Sequence, residues 1–471
     1  MRELRVHIPR FTPDTRLFLG IYALLVAIGV SVVPLRIPEI LRILGAMHHS
    51  IGQFFAWIPQ APGSAPLHSF VQLPGLLALG ASRWGARLPS LLFSVGSCYL
   101  FWRIAKRIPL RWPYLALAVF AVLPSHYIAA TDGLPGEQAL FLLLIATESF
   151  FRLVDAASLR SAFWCGAALT LAIYTEPSSV LPAAGYLLAL FAFVHGAPQR
   201  RAIWFALVPT VAPGLLFLPY FFWARMRANP RWLSPPPAPG APSSPYVQAL
   251  QQLASGGALG YAITLLLIAG LVAGVWGLFR VSASAVPRSI RIFCLFSGAV
   301  ITILIVLTLD AWNQYAFTSM QVLWAMPGVV IVSFAALERF AQRPARRTWA
   351  YALITILLTL CTLRDIDYLA FPAEDLAQEA AMIRPELTGD SCVVFVSEGL
   401  SKALFLAFQR SLESRVCSDF FHRRAVLASH PYVRPSQQEN AESFFRGLNF
   451  VVIKRVHAGG GQIVVMQSAG K

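Results

Sequence analysis

The feature that most constrains this chain is a succession of apolar runs, each about twenty residues long and nearly free of charge. A helix of that length matches the hydrocarbon thickness of a bilayer. Inside hydrocarbon every backbone N–H and C=O must find a partner within its own segment, so runs of this kind fold as helices. They fall at 17–35, 88–105, 112–131, 138–154, 161–175, 178–195, 201–223, 257–279, 292–310, 317–337 and 348–364, which predicts about eleven crossings. Only Thr175-Glu176-Pro177 divides the pair at 161–195, where proline disfavours helical geometry at the residue before it. Composition agrees: 57% of residues are hydrophobic and 13% charged, against roughly a quarter charged in soluble domains.

A formal net charge of +16 would suggest a nucleic-acid partner in a soluble protein. Here the basic residues crowd into alternate short loops: Arg103, Lys106, Arg107 and Arg111; Arg152 and Arg160; Arg200 and Arg201; Arg280, Arg288 and Arg291; Arg339, Arg343, Arg346 and Arg347. With the N-terminus in the cytoplasm these loops all lie inside, as the positive-inside rule requires. No basic stretch carries the interleaved aromatics that stack bases, so the expected neighbours are membrane lipids and not nucleic acid. The first run, from Leu17, lacks a small-residue cleavage site and reads as a retained anchor. This topology holds only if the apolar run 66–81 does not cross, and it is read as a helix lying along the outer interface. Trp57, Trp84, Trp223, Trp312 and Trp324 fall near expected boundaries, as interfacial aromatics do.

From about residue 366 the pattern changes. Helical spacing at 374–387, 399–412 and 440–447 alternates with strand-like runs at 392–396, 450–453 and 463–466, the last two around Gly459-Gly460-Gly461. The expected architecture is an all-α polytopic membrane bundle over 1–365, with a large first outer loop at 36–88, followed by a small extracytoplasmic α/β domain over 366–471. Cys98, Cys165, Cys294 and Cys361 lie in apolar runs and read as core filler. Cys392 and Cys417 lie in the C-terminal domain, where an oxidising compartment would join them and a reducing one would leave two thiols.

Charged groups near a bilayer are costly and tend to be functional or interfacial. In the first outer loop, Glu39 follows Pro34 and Pro38 at the end of the first crossing. It reads equally as a general base or as an interfacial cap paired with Arg36 or Arg42. With two histidines from His48, His49 and His68 it would form a zinc set, although the spacing matches no ligand motif. Arg83 and Arg87 suit a lipid phosphate, or interfacial snorkelling, the better reading for Arg83. Asp132 and Glu137 flank a Gly/Pro turn. They fit a divalent cation or a sugar, or turn chemistry and a helix-dipole charge. The loop at 229–245 is proline-rich and reads as polyproline-like.

Several of these stretches resemble one family. Ser64-Ala65-Pro66-Leu67-His68, followed by Gly80-Ala81-Ser82-Arg83-Trp84-Gly85-Ala86-Arg87-Leu88-Pro89-Ser90, is similar to the first-loop region of polytopic GT-C glycosyltransferases. The branch it resembles is the protein O-mannosyltransferase and aminoarabinose-transferase group. Pro124-Ser125-His126-Tyr127 with Asp132 and Glu137 resembles that family's second outer loop. Tyr174-Thr175-Glu176-Pro177 stands where the family often has a Thr-Lys pair, and Asn313-Gln314-Tyr315 with Pro327 echoes an Arg-Tyr…Pro pattern. The likeness covers the first two hundred or so residues well and the rest loosely.

The resemblance implies transfer of a sugar from a polyprenyl-phosphate donor to a lipid, glycan or protein acceptor, at the outer face of the inner (cytoplasmic) membrane. Glu39 would be the base. Arg87, with or without a divalent metal ion, would meet the donor phosphate, and His68, Asp132, Glu137, Glu176 and Tyr315 would complete the substrate site. Glu39, His48 and His49 are the metal candidates. This chain departs from the family in four places: the paired acids become Pro38-Glu39, His-Pro-Pro becomes Ser64-Ala65-Pro66 ahead of Leu67-His68, the lysine becomes Glu176 and the late arginine becomes Gln314. The departures leave room for a changed substrate or for an inactive relative that scaffolds envelope assembly. A lipid-linked saccharide transporter or flippase is the other alternative. It would need charge at mid-membrane, whereas the acids here gather at the outer edge.

Overall fold

A computed structural model describes residues 13–36, 39–40, 42–43, 46, 66–156, 158–194, 200–228, 257–278, 286–313, 322–371, 375–387, 389–396, 412, 415–417, 423–429, 435–458 and 461–469. The bundle consists of α1 (Pro13–Val32), α2 (Pro66–Leu79), α3 (Arg83–Arg107), α4 (Pro113–Ala121), α5 (Pro124–Thr131), α6 (Gly136–Ala156), α7 (Leu159–Thr175), α8 (Val180–Val194), α9 (Arg200–Ala228), α10 (Gly257–Leu278), α11 (Val286–Asn313), α12 (Met326–Phe340) and α13 (Pro344–Ala370). Every expected crossing falls on one of these, with α4 and α5 sharing a single apolar run. Among the described residues, five helices are long and apolar enough to cross a membrane, and the α4–α5 pair, bent by 56°, makes a sixth. Shorter apolar stretches lie in α8, α10 and α11. The protein is a multi-pass membrane bundle. His48, His49, Trp57, Tyr315, the proline-rich loop at 229–245 and nearly all of the helix expected at 399–412 lie outside the described residues.

Local chemistry sets the breaks. Pro124 at the start of α5 has no N–H to continue α4 and holds Leu123 extended (φ −67°, ψ 125°), hence the bend. Ser82 caps α3, its Oγ accepting from Gly85 N at 3.0 Å. The α2 helix is 14 residues, about 21 Å long and too short to cross. It lies so close to α3 that a Cβ on Gly75 would stand 2.6 Å from the Gly85 carbonyl oxygen. Arg83 Nη1 donates to the Ser31 and Val32 carbonyls, closing the C-terminus of α1. Trp84 and Trp223 are exposed, as the interfacial reading expects, but Trp324 is buried in the core.

At the end of the bundle away from this corner, charge is organised into a network. Glu148 of α6 is buried and accepts from Arg103, Arg107 and Arg152. Asp155 pairs with Arg107 and Arg291, so α3, α6 and α11 are joined. Glu338 of α12 accepts from the Arg111 and Trp112 backbone N–H groups at 2.6 and 3.1 Å. This caps α4, whose N-cap residue Trp112 supplies no side-chain bond.

The last bundle helix, α13, continues to Ala370, past the apolar run that ends at 364. Beyond it come α14 (Leu376–Ile383), β1 (Ser391–Phe395), β2 (Arg424–Ser429), α15 (Pro435–Gly447), β3 (Phe450–Ala458) and β4 (Gly461–Ser468). The sheet order is β1-β2-β4-β3. Strands β1 and β2 run parallel, with Val393 opposite Val426; β4 is antiparallel to both β2 and β3. Sequence periodicity anticipates β1, β3 and β4 but not β2, whose short run Ala425-Val426-Leu427-Ala428 has no alternation to mark it. Cys392 and Cys417 are joined by a disulfide, their Cα atoms 4.9 Å apart.

The small domain is not a separate body. One core holds Leu376, Ala380 and Ile383 of α14 and Val393, Val426, Ile463 and Val465 of the sheet. The same core holds Leu35, Ile40, Ile43, Leu76 and Ala86 of the first loop, α2 and α3. The first loop is therefore clamped between the bundle and the α/β domain.

Candidate active site

Four segments meet at this clamped corner: the loop after α1, α2, the start of α3, and the turn between α5 and α6. Glu39 and Arg87 form a two-pronged ion pair, Nε to Oε1 and Nη2 to Oε2, both 2.7 Å, with both side chains fully buried. A carboxylate can accept about four hydrogen bonds. At Glu39 the Gly133 N–H takes a third direction, 2.7 Å from Oε1, and the Arg36 N–H a fourth, 2.9 Å from Oε2. Arg87 is equally committed. Its Nη1 donates to the Val33 and Val30 carbonyls and its Nη2 also to that of Pro34, so each of its five N–H groups is used. Burial alone would raise the Glu39 pKa, yet the Arg87 bonds and charge, with Arg36, hold it below the ordinary carboxylate value. The Arg36 N–H bond matches the capping alternative read for Glu39 from the sequence. Glu39 and Arg87 thus direct all of these bonds to each other and to backbone groups of the corner.

Asp132 lies beside them under different conditions. It is fully buried, and Oδ1 accepts from Leu134 N at 3.1 Å, as aspartates in turns commonly do. Among the described residues Oδ2 has no hydrogen-bond partner, and Arg36 Nη2 lies 3.5 Å from it. Burial is the main influence on its pKa. With Glu39 also raising it, and Arg36, Leu134 N and Arg87 lowering it, the value rises to about 7. A carboxylate with a free oxygen and a pKa near neutrality meets the requirements for general-base work.

His68 of α2 is buried between the turn and α6: Nε2 is 3.1 Å from the Gly133 carbonyl oxygen and Nδ1 3.0 Å from Gln138 Oε1. Burial first, then nearby Arg42, pushes its pKa down to about 3, so the imidazole is neutral at physiological pH. Gln72 Nε2 donates to the carbonyls of Ala86 and Gly133. Gly133 is thus held from three sides: a Cβ there would meet Ala86 O at 3.0 Å, Gln72 Nε2 at 3.1 Å and Glu39 Oε1 at 3.1 Å.

Glu137, in the first turn of α6, faces the bundle interior, its Oε1 3.4 Å from His126 Nε2. His126 in turn stacks on Tyr22, its Nδ1 3.2 Å from the phenol oxygen. Glu176 sits in the turn after α7, where Oε1 accepts from Ser178 Oγ at 2.8 Å. The structure therefore gathers Glu39, Arg87, Asp132 and His68 into one cluster, with Glu137 directed into the adjoining interior. Among the described residues no group of three or more His, Cys, Asp or Glu is placed to hold a metal.

Two neighbours escaped the sequence reading. The Arg36 guanidinium lies 5.9 Å over the ring of Tyr368, near the end of α13. Asp365, one turn earlier on α13, is buried. Both fall where Arg364, Asp365 and Asp367 interrupt the apolar run, which hides the continuing helix from a hydropathy reading. An acid on the helical extension of an apolar run was the available signal.

No family model and no curated protein matches the sequence. Solved structures share its fold. The apo crystal structure of ArnT from Cupriavidus metallidurans aligns with a TM-score of 0.53 at 14% identity, covering 96% of this chain and 98% of that one. The same protein bound to undecaprenyl phosphate gives 0.55 at 14% identity, over 98% and 99%. The archaeal oligosaccharyltransferase AglB from Archaeoglobus fulgidus, in complex with an inhibitory peptide and a dolichol-phosphate, gives 0.52 at 10% identity, over 87% of this chain and 61% of that one. Together they show that this chain shares the fold of these membrane proteins.

Proposed function

We propose that this chain is a membrane glycosyltransferase that moves a sugar from a polyprenyl-phosphate donor to a lipid, glycan or protein acceptor at the outer face of the inner membrane. The observation that carries the proposal is Asp132, a buried carboxylate with one unbonded oxygen, a pKa near 7 and a guanidinium 3.5 Å away. It stands in a fold shared with a protein crystallised with undecaprenyl phosphate. In the reaction the acceptor oxygen or nitrogen bonds to the anomeric carbon while the bond from that carbon to the phosphate oxygen breaks. Asp132 takes the acceptor proton, and the lipid phosphate leaves with the bonding electrons, its charge met by Arg36. Glu39, Arg87, His68 and Gly133 fix the turn that carries Asp132. A divalent ion, if bound, would add charge at the leaving phosphate; within the cluster, Asp132 Oδ2 is an oxygen that could hold it.

Two features support the outer placement. The disulfide lies in the domain packed on this corner, and disulfides persist in oxidising compartments. The arginine network lies at the other end of α3 and α6, as cytoplasmic charge does.

The test uses the purified full chain in liposomes with undecaprenyl-phosphate-linked hexoses and pentoses, following release of undecaprenyl phosphate when membrane lipids or glycans are supplied as acceptors. Wild type is expected to turn over at least one donor and D132N to lose roughly a hundredfold or more. Turnover unchanged in D132N sinks the base assignment. No turnover with any donor leaves the inactive scaffold as the better reading.

A further inference from the structure

The arginine network at the inner end of the bundle carries more positive charge than its own acids balance. Arg103 and Arg107 of α3, Arg152 of α6 and Arg291 of α11 surround two carboxylates, Glu148 and Asp155. Four guanidinium groups against two carboxylates leave two positive charges over. Donors are left over as well. A guanidinium has five N–H groups, and at the outer corner Arg87 uses all of its own. Among the described residues, Arg103 donates only through Nη2 to Glu148, at 2.7 Å, and Arg152 only through Nε to Glu148, at 3.2 Å. Arg291 Nε is buried with no hydrogen-bond partner among the described residues. Arg103 and Arg291 lie over the rings of Tyr99 and Phe151, 5.7 and 5.6 Å from the centroids. Ring contacts of this kind take the face of a guanidinium and leave its N–H edge available. The Arg107 and Arg152 side chains are 29% and 44% exposed, so an anion from outside can reach the cluster.

What meets such a cluster must accept hydrogen bonds and carry negative charge, and phosphate oxygens suit guanidinium forks on both counts. The surroundings choose between a free phosphate and one borne by a lipid. Helix α7 begins three residues after α6 ends. Leu159, Phe163 and Trp164 of its first two turns are 48%, 47% and 50% exposed. Apolar side chains beside a basic cluster give acyl chains a surface, and a soluble anion has no use for them. We propose that Arg103, Arg107, Arg152 and Arg291 form a binding site for an anionic phospholipid of the inner leaflet, one whose headgroup carries two phosphodiesters. Two phosphodiester charges match the two that the carboxylates leave over. Basic pockets between membrane helices on the cytoplasmic side hold headgroups of this kind. The site lies at the end of α3 away from the Glu39–Arg87 corner and does not depend on the transferase reading.

The experiment titrates the purified full chain in detergent with diphosphatidylglycerol, phosphatidylglycerol and phosphatidylcholine, read by native mass spectrometry, with inorganic phosphate as competitor. Wild type is expected to bind the two-phosphate lipid roughly fivefold or more tightly than phosphatidylglycerol, and phosphatidylcholine more weakly still. R103Q/R152Q leaves one guanidinium for each acid, Arg107 for Glu148 and Arg291 for Asp155, so the internal pairs survive. Thermal unfolding confirms that the variant is folded. Its affinity for the two-phosphate lipid should fall roughly thirtyfold. R346Q removes a charge beside Phe340, outside the cluster, and should change that affinity less than about twofold. Should the double variant not fold, R152Q decides alone, with a loss of roughly fivefold expected and an unchanged affinity overturning the site. An unchanged affinity in a folded R103Q/R152Q overturns it too, as does a loss in R346Q as large as that in R152Q, which reports diffuse surface charge. Displacement by an equal concentration of inorganic phosphate overturns the lipid in favour of a free anion. Equal affinity for the two anionic lipids overturns the two-phosphate headgroup.

Discussion

Asp132 and Glu39 are two buried acids in one cluster whose surroundings push them in opposite directions. Because the Asp132 pKa is about 7, its basic form gains population through neutrality. The rate of transfer should climb between about pH 6 and pH 8, and D132N should flatten that limb. The stability consequence has the reverse sign. The folded state holds the Asp132 proton more tightly than the unfolded chain does, so this group's contribution is full below about pH 4 and is lost as pH rises through 7. His68 works the other way: with its folded pKa near 3 against an ordinary 6.5, its contribution is present at neutral pH and disappears as pH falls from 6.5 toward 3. Unfolding midpoints across pH for wild type, D132N and H68N would separate the two. For the Glu39–Arg87 pair, R87M should cost about 3–5 kcal/mol, since it leaves a buried carboxylate uncompensated. Its activity loss should therefore be accompanied by a fall in thermal stability that D132N does not show. Sequence located Glu39 and Arg87 but not the bonds that bury them together. Their surroundings are donors and acceptors from Val30, Val33, Pro34, Arg36 and Gly133, backbone groups that no side-chain motif records.

Among the elements, the turn between α5 and α6 depends on the absence of a side chain at one position. G133A would press a methyl group against Ala86 O, Gln72 Nε2 and Glu39 Oε1. The expected cost is about 1–3 kcal/mol, with lost transfer from a displaced Asp132, to be read by unfolding and by the liposome assay. At the opposite end, E148Q would leave Arg103, Arg107 and Arg152 without their shared carboxylate. It should lower thermal stability by about 1–3 kcal/mol while leaving the pH profile of transfer in place. The crossings were legible because length and apolarity are what a bilayer selects. The α13 extension was not, because Arg364, Asp365 and Asp367 break the apolar pattern, although Arg364 pairs with Asp367 and Asp365 is buried. Strand β2 was hidden for a related reason, since pairing on both edges lets its six residues be almost uniformly buried.

For the whole molecule, the disulfide closes a loop between residues 25 apart in sequence. Reducing it should remove about 3 kcal/mol. The loss should reach transfer activity as well as the domain, measurable by comparing turnover with and without dithiothreitol in wild type and in the C392S/C417S double variant.

That reach follows from the core in which Leu35, Ile40, Ile43, Leu76 and Ala86 pack among strands and a helix encoded much later in the chain. Severing the chain after Phe371 would not yield an anchor and a freed soluble module. Each fragment would carry half of a torn apolar seam, and during synthesis the early loop must wait, unfinished, for the last stretch to emerge before the corner it shapes can set.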